Sequence, residues 1–126
     1  MESLLGRNYF FYLALLLTIV ITVGSIVSLK NGLGIDLQIK DKILHSGSYF
    51  LLTISWLLAY DVKSLQLKSA ILIATVVFIY GIIIEILQGV LTNYRQADIY
   101  DIIANFVGIV VAIIFFALVF KKININ

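Results

Sequence analysis

Residues 81–112 read GIIIEILQGVLTNYRQADIYDIIANFVGIVVA, two strongly apolar segments joined by a short polar loop and both marked with ionisable residues. Glu85 and Gln88 precede the loop, Arg95 lies in it, and Asp98, Asp101 and Asn105 follow it. At 100° per residue, Asp98, Asp101, Asn105, Gly108 and Ala112 fall in a stripe roughly 80° wide, and Gly81, Glu85, Gln88 and Gly89 form a similar stripe before the loop. A charge within a hydrocarbon core costs about 2.5–3.5 kcal/mol on insertion scales, so clustering charges on one face of each helix needs a compensating reason. The two stripes are therefore the candidate site.

The rest of the chain has the same character. Of its 126 residues 62% are hydrophobic and 13% charged, and the mean hydropathy is +1.09, more apolar surface than a water-soluble domain of this length can bury. An integral membrane protein follows. The absence of cysteine excludes disulfides and thiolate metal sites, and a net charge of +2 gives no ground for nucleic-acid binding. With no proline, any bend in a helix falls to glycines such as Gly24, Gly81 or Gly108.

Four apolar runs are long enough, at about 20 residues each, to cross a bilayer about 30 Å thick. The first covers residues 9–29 after a short polar lead with Glu2 and Arg7, and it exceeds the 7–15 apolar residues typical of a signal peptide. Residues 30–40 read KNGLGIDLQIK: Asn31-Gly32 signals a turn, and alternation from Leu33 to Ile39 predicts a short extended cover over the helix ends. Gly32 and Gly34 lack the third glycine of a dinucleotide fingerprint and read as a turn. Asp41 stands where an N-cap would, ahead of a second span over residues 43–60, on which Lys42, His45, Tyr49 and Trp56 share a face. Ser46, Ser48, Thr53 and Ser55 suit this helix to protein rather than lipid surroundings. The third span covers 67–91, and the fourth runs from about 98 to 120 before Lys121 and Lys122 end it. The expectation is an all-α membrane protein: one domain over residues 1–126, four transmembrane helices in a compact bundle, and a polar site at the outer ends of helices 2, 3 and 4.

An even number of spans puts both termini on one side with Arg7, Lys63, Lys68, Lys121 and Lys122, against Lys30, Lys40, Lys42 and Arg95 on the other. The positive-inside rule then places the termini in the cytoplasm of a bacterial inner membrane, by a narrow margin. Lys42, His45, Tyr49, Glu85, Gln88, Arg95, Asp98, Asp101 and Asn105 all arrive at one depth, from three segments.

Three spaced blocks carry a resemblance: Asp41-Lys42-x-x-His45-x-x-x-Tyr49-Phe50, then Glu85-x-x-Gln88, then Arg95-x-x-Asp98-x-x-Asp101-x-x-x-Asn105-x-x-Gly108. Together, from Asp41 to Ala112, they are similar to the VanZ-like family of small membrane proteins, whose founding member is a teicoplanin-resistance protein. The resemblance implies a bundle of membrane helices and, for the founding member, lowered glycopeptide susceptibility; it implies no reaction. Family members often have proline near the arginine and a second glycine after the first, where this chain has Asn93-Tyr94 and Ala112. Alanine preserves the spacing of small residues that lets helices approach closely.

The chemistry open to these residues is of several kinds. His45, with Asp101 and Glu85, is a candidate base or nucleophile, while Lys42 and Arg95, with Tyr49, Gln88 and Asn105, offer donors for an anionic ligand. Glu85, Asp98 and Asp101 are hard oxygen ligands suited to Mg²⁺ or Ca²⁺. The structural alternative is that Asp98 and Asp101 serve the N-terminus of a helix, Arg95 pairs with a carboxylate, and Gln88 and Asn105 join helices. Trp56, Tyr60, Tyr9, Tyr12, Phe115, Phe116 and Phe120 read as an aromatic belt at the inner boundary, and Tyr94 and Tyr100 at the outer one. Three functions compete: binding or modification of a lipid-linked or phosphorylated cell-envelope headgroup in the bilayer, proton- or ion-coupled transport, and non-catalytic docking of another membrane protein. Transport lacks a visible polar route through the inner half, where the third span offers only Thr75 and Tyr80 and the fourth nothing polar after Asn105.

Overall fold

The computed structural model describes residues 2–27, 37–60, 67–91 and 99–120. They form four helices, α1 (Glu2–Val27), α2 (Leu37–Ala59), α3 (Leu67–Leu91) and α4 (Ile99–Phe120). Three carry stretches long and apolar enough to cross a membrane, Asn8–Ile26 in α1, all of α3, and Ile99–Val119 in α4. The large apolar side chains these helices leave exposed, such as Leu16, Leu72, Ile103 and Leu118, would be untenable in water and are at home in hydrocarbon. In α2 the first turns contain Lys40, Asp41, Lys42 and His45 in place of aliphatic residues, which lowers its hydropathy below theirs.

The contacts give the helix directions. Along α2 and α4, Lys42 meets Asp101, the Ser46 carbonyl meets Gly108, and the Phe50 and Phe115 rings meet at 5.5 Å, so both chains advance together and the helices run parallel. Along α3 and α4 the order is reversed: Gly81 meets Asn105, Phe78 meets Phe106 at 5.4 Å, and Ala70 clusters with Phe116. Tyr80 reaches Thr18 and Gln88 reaches Ser25, which makes α1 and α3 parallel. The topology is up-down-up-down, and one end of the molecule collects the starts of α2 and α4 and the finishes of α1 and α3.

α2 packs against all three other helices and most extensively against α4. That burial accounts for its polar residues, because Thr53 and Ser55 face protein and are buried. Along the core, Tyr49, Leu52, Val77 and Ile109 form one buried cluster and Leu57, Ala70 and Phe116 another. α2 and α4 meet backbone to backbone at Gly108, where a Cβ would stand 2.1 Å from the Ser46 carbonyl oxygen; only glycine lets the two backbones meet there.

Several sequence expectations need correction. α2 begins at Leu37, so residues 37–39 are helical rather than extended, and Asp41 lies inside the helix and not at its N-cap. A run with polar residues at alternate positions also contains an i, i+4 apolar pair, and a helix of 23 residues captures it. Residues 33–36 lie outside the described residues. Phe116 is fully buried in the core rather than in a boundary belt, and Trp56 turns its indole inward, as described below. Tyr9, Tyr12 and Tyr100 are exposed.

Candidate functional site

At the end where α2 and α4 begin, Asp101 sits in the first turn of α4, where the positive pole of the helix favours its charge. Its side chain is 1% exposed, yet it is compensated: the Lys42 ammonium donates to its Oδ1, and His45 Nδ1 lies 3.8 Å from the same oxygen. Lys42 and His45 are one turn apart on α2, so a single carboxylate organises both. At 3.8 Å the histidine contact is an electrostatic one and not a hydrogen bond. A lone buried carboxylate would be strongly unfavourable in a medium of low dielectric, which is why a cation accompanies it. Lys42 remains 30% exposed at the side chain, so the ion pair opens on one side.

From α3, Glu85 and Gln88 reach the same end and are both buried. Gln88 donates its amide to the Ser25 carbonyl on α1 at 2.9 Å and thereby joins α1 to α3. One turn deeper than Asp101, Asn105 is buried against Gly81, and Tyr49, one turn beyond His45, lies against the same glycine. Each of the helical stripes read from the sequence is buried where it is described: Asp101, Asn105, Gly108 and Ala112 on α4, and Gly81, Glu85 and Gln88 on α3, with Gly89 half-buried. Arg95 and Asp98 lie outside the described residues. Among the described residues no group of three or more His, Asp or Glu side chains is arranged to hold a metal ion, and of the candidate ligands Glu85, Asp98 and Asp101 only two are described.

Below this layer runs a second set of polar contacts absent from the sequence reading. The Tyr80 hydroxyl lies 2.5 Å from Thr22 Oγ1 and donates to the Thr18 carbonyl at 3.0 Å, and the Trp56 indole N–H donates to Thr18 Oγ1 at 3.1 Å. Thr18 also donates to the Ala14 carbonyl at 2.8 Å, and Thr22 Oγ1, 2.8 Å from the Thr18 carbonyl, has one proton to give either to that carbonyl or to the Tyr80 hydroxyl. The signal was present in α1, since Thr18, Thr22 and Ser25 recur at spacings of four and three and so share one face of an otherwise apolar helix. It went unread because hydroxyls on a membrane helix also satisfy themselves on their own backbone, which makes them weak markers. The Tyr49 and Tyr80 rings, with centroids 6.1 Å apart, connect the two layers.

Chemically, the end cluster combines a buried carboxylate bonded to an ammonium, an imidazole facing that carboxylate, and a second buried carboxylate one helix away. Such a group can hold a charged ligand in fixed orientation. No protein-family model, curated protein or solved structure matches this chain.

Proposed function

We propose that this chain is a multi-pass bacterial inner-membrane protein of VanZ-like type that binds the phosphorylated headgroup of a lipid-linked cell-envelope component at its polar end. On this reading α2 is a fourth span, both termini are cytoplasmic, and the site faces the outer leaflet. The observation that carries the proposal is the buried Asp101 carboxylate drawing Lys42 and His45 from another helix. A bundle of this size has cheaper ways to join two helices than an ion pair beside hydrocarbon, and intramembrane ionisable groups commonly mark ligand pathways. Lys42 and Arg95 supply positive charge for the anion, Asp101 holds Lys42 and His45 in place, and Glu85 and Gln88 close the side toward α1 and α3. Support also comes from the three spaced sequence blocks, which the family resemblance joins into one pattern.

The test compares Asp101→Asn, His45→Gln and Arg95→Gln with the wild type at equal membrane expression. Protein purified in mild detergent is extracted and its retained lipids identified by mass spectrometry, and teicoplanin tolerance is scored in a sensitive Gram-positive host. Wild type is expected to retain a phosphorylated lipid, and all three substitutions to lose it while the protein still inserts and folds. If wild type retains lipid and all three variants retain as much, the charges serve only the bundle and the binding reading is wrong.

A further inference from the structure

Around Gly81, α2, α3 and α4 bring together polar groups that their own side chains leave unsatisfied. The point where a Cβ would stand on Gly81 lies 3.0 Å from Tyr49 Cε1, 3.4 Å from Tyr49 Cζ and 3.2 Å from Asn105 Nδ2, so the phenol edge and the carboxamide converge on one spot. Tyr49 and Asn105 are both 3% exposed, and neither the Tyr49 hydroxyl nor Asn105 Oδ1 has a hydrogen-bond partner among the described protein atoms. Thr53, one turn further along α2 and fully buried, carries a third such oxygen. Glu85 stands one turn along α3 from Gly81, and Tyr49 lies within electrostatic reach of it.

Buried hydroxyls and amides are paired in folded proteins, and where protein groups do not pair them a bound water with two to four polar partners does. The requirement is stricter inside a bilayer, where no bulk water competes for the role. We propose that a resident water molecule beside the Gly81 junction bridges the Tyr49 hydroxyl and Asn105 Oδ1, so that α2 and α4 are joined through it. Glycine at position 81 lets the Tyr49 ring and the Asn105 carboxamide both pack on α3, because a side chain there would meet the two of them. The water would lie between the charged end layer and the Tyr80–Thr22–Thr18 layer, which extends polar character inward from Asp101 and His45 without a charged residue. This inference stands apart from the headgroup reading, since it concerns only neutral groups one turn below the ion pair.

Two measurements decide it. In the first, the wild-type chain, deuterated and reconstituted in nanodiscs, is examined by NMR for cross-relaxation between water and the Asn105 side-chain amide or the Tyr49 hydroxyl proton; a cross-peak with a long-lived water is expected. The second is the thermal midpoint in sodium- and potassium-containing buffers of Tyr49→Phe, Asn105→Leu and the double variant. If a water bridges the two groups, Tyr49→Phe lowers the midpoint, and the double variant loses less than the sum of the single losses because the water leaves with both partners. An increased midpoint for Tyr49→Phe means that the hydroxyl was simply an orphan, additive losses mean that nothing couples the residues, and coupling without a water cross-peak means that they bond directly. A wild-type midpoint that depends on which alkali cation is present assigns the place to a cation. Each of these four results overturns the proposal.

Discussion

Replacing Gly108 by alanine tests the backbone contact between α2 and α4. The added Cβ would lie 2.1 Å from the Ser46 carbonyl oxygen, 2.9 Å from its carbon and 3.1 Å from its Cα. A carbon–oxygen contact is comfortable at about 3.3–3.6 Å, so α2 and α4 must part locally by roughly 1 Å. The obstacle is backbone, and no side-chain rotation relieves it. The seam on either side is tight, with Asp101 and Asn105 toward one end and the fully buried Ala112 toward the other. A radial gap of about 0.5–1 Å forfeits a quarter to a half of each dispersion well along it. Overpacking of this kind costs about 1–3 kcal/mol, while alanine regains only about 0.5–1 kcal/mol of helix propensity over glycine. The expected net loss is about 1–2 kcal/mol, and it should fall on the Asp101–Lys42 contact as well as on the seam. Gly47→Ala is the matched control, since nothing lies within 4 Å of its would-be Cβ and the propensity gain stands alone. Both variants are purified in the same detergent and unfolded thermally, followed by circular dichroism. Gly108→Ala should melt below wild type and Gly47→Ala at or above it; a Gly108→Ala protein as stable as the Gly47→Ala protein would refute the parallel α2–α4 contact.

The Lys42–Asp101 pair should show in a double-mutant cycle of Lys42→Met with Asp101→Asn as a coupling of about 0.5–3 kcal/mol, and additive losses would mean that the two charges do not meet. Tyr80→Phe removes a hydroxyl bonded to Thr18 and Thr22, and its stability should fall by about 0.6–1.7 kcal/mol, a loss that a further Thr22→Val change should not increase in full. Single cysteines at Ser3, Asn31, Ser64 and Asn124, treated with an impermeant thiol reagent in intact cells, should react at position 31 alone; labelling at 3 or 124 but not 31 would invert the orientation.

The sequence by itself determined the solvent of this protein and the faces of its helices. Length and hydropathy of the apolar runs place α1, α3 and α4 in hydrocarbon, since a chain this apolar has no other place to put its surface. Helical phase also told which faces of α3 and α4 turn inward, because a polar residue buried beside lipid must meet protein, and Glu85, Gln88, Asp101 and Asn105 do. The third span was legible to its ends, Leu67 to Leu91, because polar loops flank it on both sides. Only tertiary structure could say which residues on those faces meet. That Asp101 takes Lys42 and His45, that Gln88 takes a carbonyl on α1, and that Tyr80 and Trp56 share Thr18 depend on rotation and offset between helices far apart in sequence. The start of α2 was misread for a related reason. A mixed polar and apolar run such as residues 37–40 satisfies a period of two as readily as a turn of helix when read alone, and what separates the two is packing of the whole helix against its neighbours, here α4, which supplies Asp101 to Lys42.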